Sequence, residues 1–387
     1  MSYQNKINKC FSIGDLRNLA KARLPKVIFD YIDGGAEDEA TLNRNSSGFN
    51  NYQLLPETLV DVSSVDLSTK VQGLDLDVPF LIAPTGGNRL FHHLGERAIA
   101  PVAEKFGTVY SLSSMSTHNI EQAASFTNSP LWYQIYVWKD RAVVKEFIQR
   151  CKASGYHALC LTVDVPEFGQ RERDLRNGMT IPPKFTTSSL FDMALHPNWW
   201  WNTLTHPPIT LANVVDKAGA GLNSATALGQ YFQEQLDPSV TWDDMAWMIE
   251  EWGGPFLIKG ILSPEDAKRA IDTGVSGLII SNHGGRQLDY SAAPIDMLPE
   301  IVDAVEGRAD IILDGGIRRG TDILKALALG ANACMIGRAY LYGLGAGGQA
   351  GVERALSLLK SEVERSMKLL GCTKIENLSA KHLRKFK

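Results

Sequence analysis

From Val78 to Ile336 the chain repeats one rhythm: a short apolar run, a Gly, Ser or Asp at its end, then an amphipathic helical stretch. The runs read as strands at Pro79 to Ala83, Thr108 to Leu112, Leu131 to Tyr136, Ala158 to Val163, Pro255 to Lys259, Gly277 to Ser281, Asp310 to Leu313 and Ala333 to Ile336. Near-continuous apolar strands alternating with helices imply parallel strands buried on both faces. Eight such units imply an α/β fold closed into a (β/α)8 TIM barrel, not an open sheet, with chemistry at the C-terminal strand ends.

The flanks are less regular. Ser12-Ile13-Gly14-Asp15 caps a first helix, Leu24-Pro25 starts a second that runs through Tyr31 and ends at Gly34-Gly35, and a third follows from Ala36. The stretch from Pro166 to Thr241 is the longest irregular one, with Pro182-Pro183, Pro207-Pro208, the glycines of Lys217 to Gly221, and His196-Pro197-Asn198-Trp199-Trp200-Trp201. Three tryptophans beside prolines do not suit a buried helix. They suit a subunit interface, an active-site lid or the headgroup zone of a membrane. Gly343 to Gly351 is glycine-rich, an amphipathic helix is expected over Val352 to Leu370, and Lys381 to Lys387 reads as a basic, solvated tail. One domain over 1–387 is expected: a helical lid region over 1–77, a barrel over 78–345 with its insertion at 166–241, and a helix and tail over 346–387.

Composition narrows the class without redirecting it. The 387 residues exceed roughly 150 per domain, but one barrel of about 250 with insertions absorbs them. A net charge of -4 offers nucleic acid no electrostatic draw. The five cysteines, Cys10, Cys151, Cys160, Cys334 and Cys372, are odd in number and lack a CxxC pair. They read as reduced thiols, neither a disulfide framework nor a zinc site, and no metal is expected. Met1 to Cys10 carries no apolar signal core, and no apolar run is long enough to span a bilayer, which leaves peripheral membrane contact open.

The chemistry concentrates in Leu278-Ile279-Ile280-Ser281-Asn282-His283-Gly284-Gly285-Arg286-Gln287-Leu288-Asp289. A strand stops at a loop carrying one imidazole and one guanidinium, with a glycine pair between them. His283 can take a proton near neutral pH, and Arg286 offers a planar fork that matches a carboxylate. Asp164, at the end of another strand, is suited to orient an imidazole and stabilise its protonated form, or simply to cap a turn. Lys259 at an inward strand end is costly unless it faces an anion or an electron-rich ring. Gln134 and Tyr136 share one side of their strand. Leu313-Asp314-Gly315-Gly316-Ile317-Arg318-Arg319-Gly320 and Ile336-Gly337-Arg338 close the last two strands as a phosphate cradle.

From the Tyr31 helix to Arg338 these residues resemble the FMN-dependent α-hydroxy acid dehydrogenases and oxidases, with Ser281 to Asp289 matching that family's signature. The resemblance implies FMN as cofactor and oxidation of an (S)-2-hydroxy acid to the 2-oxo acid. His283 would be the base and Asp164 its partner. Arg286, Arg171 and Tyr31 would hold the substrate carboxylate, and Tyr136 would lie near the reacting hydroxyl. Pro84, Thr85, Gly86, Ser113, Gln134, Thr162 and Lys259 would surround the flavin, while Ser281, Asp314, Gly315, Gly316, Arg318, Gly337 and Arg338 complete the cofactor shell. Gly86, Met115, Phe91 and Phe168 imply an apolar pocket with room for lactate or a larger acid such as mandelate. The resemblance also implies a homotetramer, a quinone or other electron acceptor, and a cytoplasmic protein at the inner face of the plasma membrane. Three rivals compete with it. An oxidase releasing hydrogen peroxide, or a biosynthetic relative acting on a specialised hydroxy acid or peptide, fits the same pocket. A non-catalytic scaffold has no need of His283, Arg286, Asp164, Tyr136 and Tyr31 together. A flavin-free phosphate-binding barrel leaves Lys259 and Pro84-Thr85-Gly86 without a job.

Overall fold

The computed structural model describes residues 3–180, 184–215 and 234–386. Pro182-Pro183 and the glycines of Lys217 to Gly221 lie outside them. Eight parallel strands form a closed barrel: β1 (Phe80–Ile82), β2 (Tyr110–Ser113), β3 (Leu131–Ile135), β4 (Ala158–Thr162), β5 (Phe256–Ile261), β6 (Gly277–Ile280), β7 (Asp310–Asp314) and β8 (Ala333–Ile336). They match the eight expected runs within a residue or two.

Period-two alternation sorts each strand between two apolar cores. Leu81, Trp132, Cys160, Leu257, Ile279, Ile312 and Met335 fill the barrel interior. Their neighbours Ile82, Tyr133, Leu161, Ile258, Ile280, Leu313 and Ile336 pack outward, against the surrounding helices. One more inward step brings Ala83, Gln134, Thr162, Lys259, Ser281, Asp314 and Gly337 to the C-terminal mouth, so the pleat that builds the apolar plug also lays a polar floor over it. The opposite end is closed by the hairpin Thr69–Val71/Leu74–Leu76. Its turn residues Gln72 and Gly73 both take positive φ, the geometry of a tight hairpin turn. Gln72 Nε2 donates to the Ser276 carbonyl at 2.9 Å and to Asp310 at 2.8 Å.

Around the barrel, three expectations need correction. The helix expected from Ala36 is Ala40–Ser47. Ala36 N donates to Gly285 O and Glu37 N to Gln170 O, both at 2.9 Å, so tertiary bonds divert this backbone from a helix. The glycine-rich stretch after β8 is helical: one helix runs Arg338–Leu370, broken at Gly347 and Gly348. Its glycines serve close packing, since a Cβ on Gly343 would lie 2.3 Å from Gly351 O and one on Gly345 2.8 Å from Leu24. The basic tail is not a free end, because Leu383–Lys385 pairs antiparallel with Tyr52–Leu54. A short helix, Tyr3–Asn8, precedes the two expected ones; these, Ile13–Arg23 and Lys26–Asp33, follow the expected caps, with Ser12 accepting from Asp15 N. The described residues of the insertion after β4 include the helices Glu172–Arg176, Thr187–Ala194 and Pro197–Thr205, which lie over the barrel mouth. No helix among the described residues is long and apolar enough to cross a membrane.

Candidate active site

A cavity of about 810 Å³ opens above the polar floor. Ligand sites run from about 300 to 1,000 Å³, so this one has room for a cofactor and a substrate together. Of the residues singled out in the sequence, all but Asp164 and Ser281 line it. Those two stand behind the wall and act through residues that do.

His283 Nδ1 lies 2.9 Å from Asp164 Oδ1, which leaves Nε2 for a ligand in the cavity. Burial works against the Asp164 charge, but His283 and Lys259 outweigh it and its pKa is lowered. The carboxylate therefore stays ionised and can stabilise an imidazolium. Room for it comes from a bulge in β5: the register slips between Lys259 and Ile261, and a Cβ on Gly260 would fall 2.7 Å from Asp164. His283 itself sits at φ 58°, a left-handed conformation that non-glycine residues adopt at a cost and retain at functional sites. Asn282 pins the loop by accepting from Asn45 Nδ2 at 2.8 Å. Asp289 pins it by accepting from Thr41 N at 2.8 Å and Ala40 N at 3.2 Å.

Opposite His283 lie two guanidinium groups, with Arg286 5.0 Å and Arg171 5.6 Å from the centre of the Tyr31 ring. Arg171 Nε donates to Asp174 at 2.8 Å. Arg286 donates to Tyr31 O at 2.6 Å, near the C-terminus of the Lys26–Asp33 helix, where the helix dipole favours a cation. Burial and then Arg171 lower the Arg286 pKa. Arg286 thus faces the cavity with backbone carbonyls as its hydrogen-bond acceptors, an arrangement suited to an anionic ligand. Tyr136 is buried beside them on the cavity wall, and burial together with the Asp164 charge raises its pKa well above the ordinary value. It is a hydroxyl donor at neutral pH.

On the floor, Lys259 Nζ meets Asp314 at 2.9 Å and donates to Ser281 Oγ at 2.8 Å. Burial opposes its charge, yet Asp314 and Asp164 raise its pKa, so it remains an ammonium. Gln134 Nε2 and Thr162 Oγ1 are buried with no partner among the described residues. Such atoms on a cavity wall call for a polar ligand. Gly315 at φ 113° and Gly316 at φ 80° turn the backbone at the end of β7. A Cβ on Gly337 would meet nothing closer than Ala83, at 3.9 Å. Beside it, the Arg338–Leu370 helix presents its N-terminus, an anion-binding element. Arg338 also lines the cavity, and its guanidinium donates to Ile32 O at 2.9 Å, Gly284 O at 2.8 Å and Gly34 O at 2.8 Å. It ties the cradle to the Tyr31 helix.

One family model, FMN-dependent dehydrogenase, matches residues 20–385. The chain belongs to the FMN-dependent dehydrogenase family. It is 43% identical to the L-lactate oxidase of Nostoc, over 97% of this chain and 99% of that protein. It is 38% identical to the glycolate oxidase of Spinacia oleracea, over 96% and 95%. The crystal structure of the monotopic membrane protein (S)-mandelate dehydrogenase superposes with a TM-score of 0.94 at 39% identity, covering 98% of this chain and all of that one. This chain is accordingly an FMN-dependent oxidoreductase built on a (β/α)8 barrel. The unsatisfied Gln134 and Thr162 atoms, the Lys259 ammonium and the open glycine cradle fit that cofactor.

Several wall residues carry no signal in the sequence. Asp174 becomes visible only once Arg171 is known to be functional, since the two stand three apart on one turn. Leu175, Met179, Phe185, Met193, Trp199 and Leu211 come from the insertion and roof the cavity. Of the tryptophan triplet, Trp199 faces inward and donates from Nε1 to Leu90 O at 2.8 Å, whereas Trp201 is 61% exposed.

Proposed function

We propose that this protein oxidises an (S)-2-hydroxy acid with an apolar or aromatic side chain, of lactate size or larger such as mandelate, and passes the electrons to a membrane quinone. The observation that carries the reading is one cavity lined by His283, with Asp164 bonded behind it, and by the Arg286 and Arg171 guanidiniums beside Tyr31. The arginines would hold the substrate carboxylate, with Tyr31 between them and Tyr136 donating toward the hydroxyl. His283 Nε2 would remove a proton from the substrate as its carbinol C–H bond breaks, and Asp164 would stabilise the imidazolium formed. FMN, when bound, supplies the acceptor for the two electrons released. Lys259, Gln134, Thr162, Ser113, Pro84, Thr85 and Gly86 would hold its ring, and Asp314, Gly315, Gly316, Arg318, Gly337 and the helix N-terminus its ribityl and phosphate groups. Phe91, Phe168, Met115 and the roof residues would surround the substrate side chain.

The insertion supports the acceptor. Phe191, Leu195, Trp201 and Leu204 project from Thr187–Ala194 and Pro197–Thr205 as exposed apolar side chains, suited to peripheral insertion among lipid headgroups. Similarity to a monotopic membrane (S)-mandelate dehydrogenase favours the same reading. A homotetramer and a location at the cytoplasmic face of the plasma membrane belong with it. Similarity to two oxidases favours a second reading, in which oxygen is the acceptor.

One experiment tests both. The flavin band is followed anaerobically while L-lactate, (S)-mandelate, glycolate and longer 2-hydroxy acids are added, and oxygen is then admitted. Bleaching with slow recovery in air, and fast recovery with a quinone, supports the dehydrogenase. Fast recovery with peroxide makes it an oxidase, and no bleaching by any acid sinks the substrate class.

A further inference from the structure

Behind the loops that follow β1 and β2 lies a carboxylate outside the chemistry above. Glu96 is wholly buried. Burial works against its charge, but His118 and Thr117 outweigh it, and its pKa is lowered. Oε1 accepts from Asn88 Nδ2 at 3.1 Å and Thr117 N at 2.9 Å. Oε2 accepts from Thr117 Oγ1 and meets His118 Nδ1, both at 2.6 Å.

The partners of Glu96 belong to two different loops. Asn88 sits in the loop after β1, where its Oδ1 accepts from Thr85 Oγ1 at 2.8 Å and its Nδ2 donates to Thr85 O at 3.2 Å. Thr117 and His118 sit in the loop after β2, and Thr117 Oγ1 also accepts from Arg89 N at 3.3 Å. One further bond, Gly87 N to Met115 O at 3.1 Å, joins the same loops. Their joint product is the wall on which Thr85, Gly86 and Met115 meet the cavity, packed so closely that a Cβ on Gly86 would lie 2.8 Å from Met115 Cβ. A buried charge is costly to keep. Here it organises donors from both loops around one centre, and the His118 ring, whose side chain is 18% exposed, closes the set from the loop after β2.

We propose that Glu96 is a positioning residue that locks the loops after β1 and β2 into one face and so sets the Thr85–Gly86–Met115 wall for cofactor and substrate. This rests on the assignment of that wall to the flavin. The test uses Glu96→Gln, which keeps size and loses charge, and His118→Gln, which removes the imidazole that meets Glu96 near the surface. Three quantities are measured: the FMN dissociation constant of the apoprotein, amide hydrogen exchange, and the kcat and KM for the hydroxy acid that bleaches the wild type. Faster exchange is expected over 84–91 and 113–118 but not over 278–289. Affinity for FMN should weaken by about tenfold or more, and kcat should fall by about tenfold to a hundredfold, as small misplacements do. KM should change less, because the Arg171 and Arg286 clamp lies elsewhere. Unchanged exchange in both loops, in both variants, overturns the proposal. So does faster exchange with unchanged FMN affinity and kcat. Failure of the substrate reading is distinct, since it would show in the wild-type protein as absence of bleaching.

Discussion

At the scale of single residues, His283 and Arg286 carry the sharpest expectations. Replacing His283 with Gln should leave FMN bound, because the ring-facing groups are elsewhere, while slowing anaerobic flavin bleaching by about 10²-fold or more. Stopped-flow absorbance checks this, and bleaching at the original rate would mean that another group is the base. Replacing Arg286 with Met should weaken binding of a carboxylate ligand by about 2 to 5 kcal/mol, the cost of breaking a buried charge contact. Titration of a non-reducing 2-oxo acid against the flavin spectrum measures it, and unchanged affinity would remove Arg286 from the clamp. Both residues were legible in the sequence because a strand that ends in an imidazole, two glycines and a guanidinium has little structural reason to exist. The left-handed backbone of His283 and the bonds that hold its loop to Asn45, Ala40 and Thr41 were not, since their partners lie more than two hundred residues away.

Among the elements, the strands and the insertion behave differently. Each barrel strand is recognisable because burial on both faces demands an unbroken apolar run. The insertion has no such demand, so the short helices among its described residues emerge only against the barrel mouth, where Trp199 is pinned to Leu90 and turned inward. Its outer face carries a separate expectation. Replacing Phe191, Trp201 and Leu204 together with Ser should abolish sedimentation with anionic phospholipid vesicles and leave bleaching by the hydroxy acid in solution nearly unchanged. Undiminished vesicle binding would move the contact to another face. After β8 the helix expected from Val352 begins at Arg338 and includes the glycine-rich stretch, whose glycines let two helical segments and the Ile13–Arg23 helix approach closely.

For the molecule as a whole, the helices Ile13–Arg23 and Lys26–Asp33 are tied to each other through charge, and a tyrosine of the Arg338–Leu370 helix joins them. Arg17 donates to both oxygens of Asp33, at 2.6 and 2.7 Å, and Tyr342 donates to the same carboxylate at 2.8 Å. Burial would raise the Asp33 pKa, but Arg17 and Tyr342 bring it down to about 2. A depressed folded pKa contributes stability that is present above the unfolded value near 3.8 and lost as pH falls through about 2. Asp33→Asn should therefore lower Tm at pH 7, with the difference from wild type shrinking as pH falls from about 5 toward 2. Thermal unfolding across that range checks it, and a constant difference would mean that packing, not charge, holds the helices. The barrel, its order of strands and the residue types at their ends follow from local periodicity, because alternation and burial are written into consecutive positions. The convergence of Tyr31, Arg171, His283 and Arg286 on one cavity, the roof over it and the Glu96 bond between two loops do not. These depend on how a closed barrel brings distant strand ends to one mouth, a constraint on space that no run of neighbouring residues encodes.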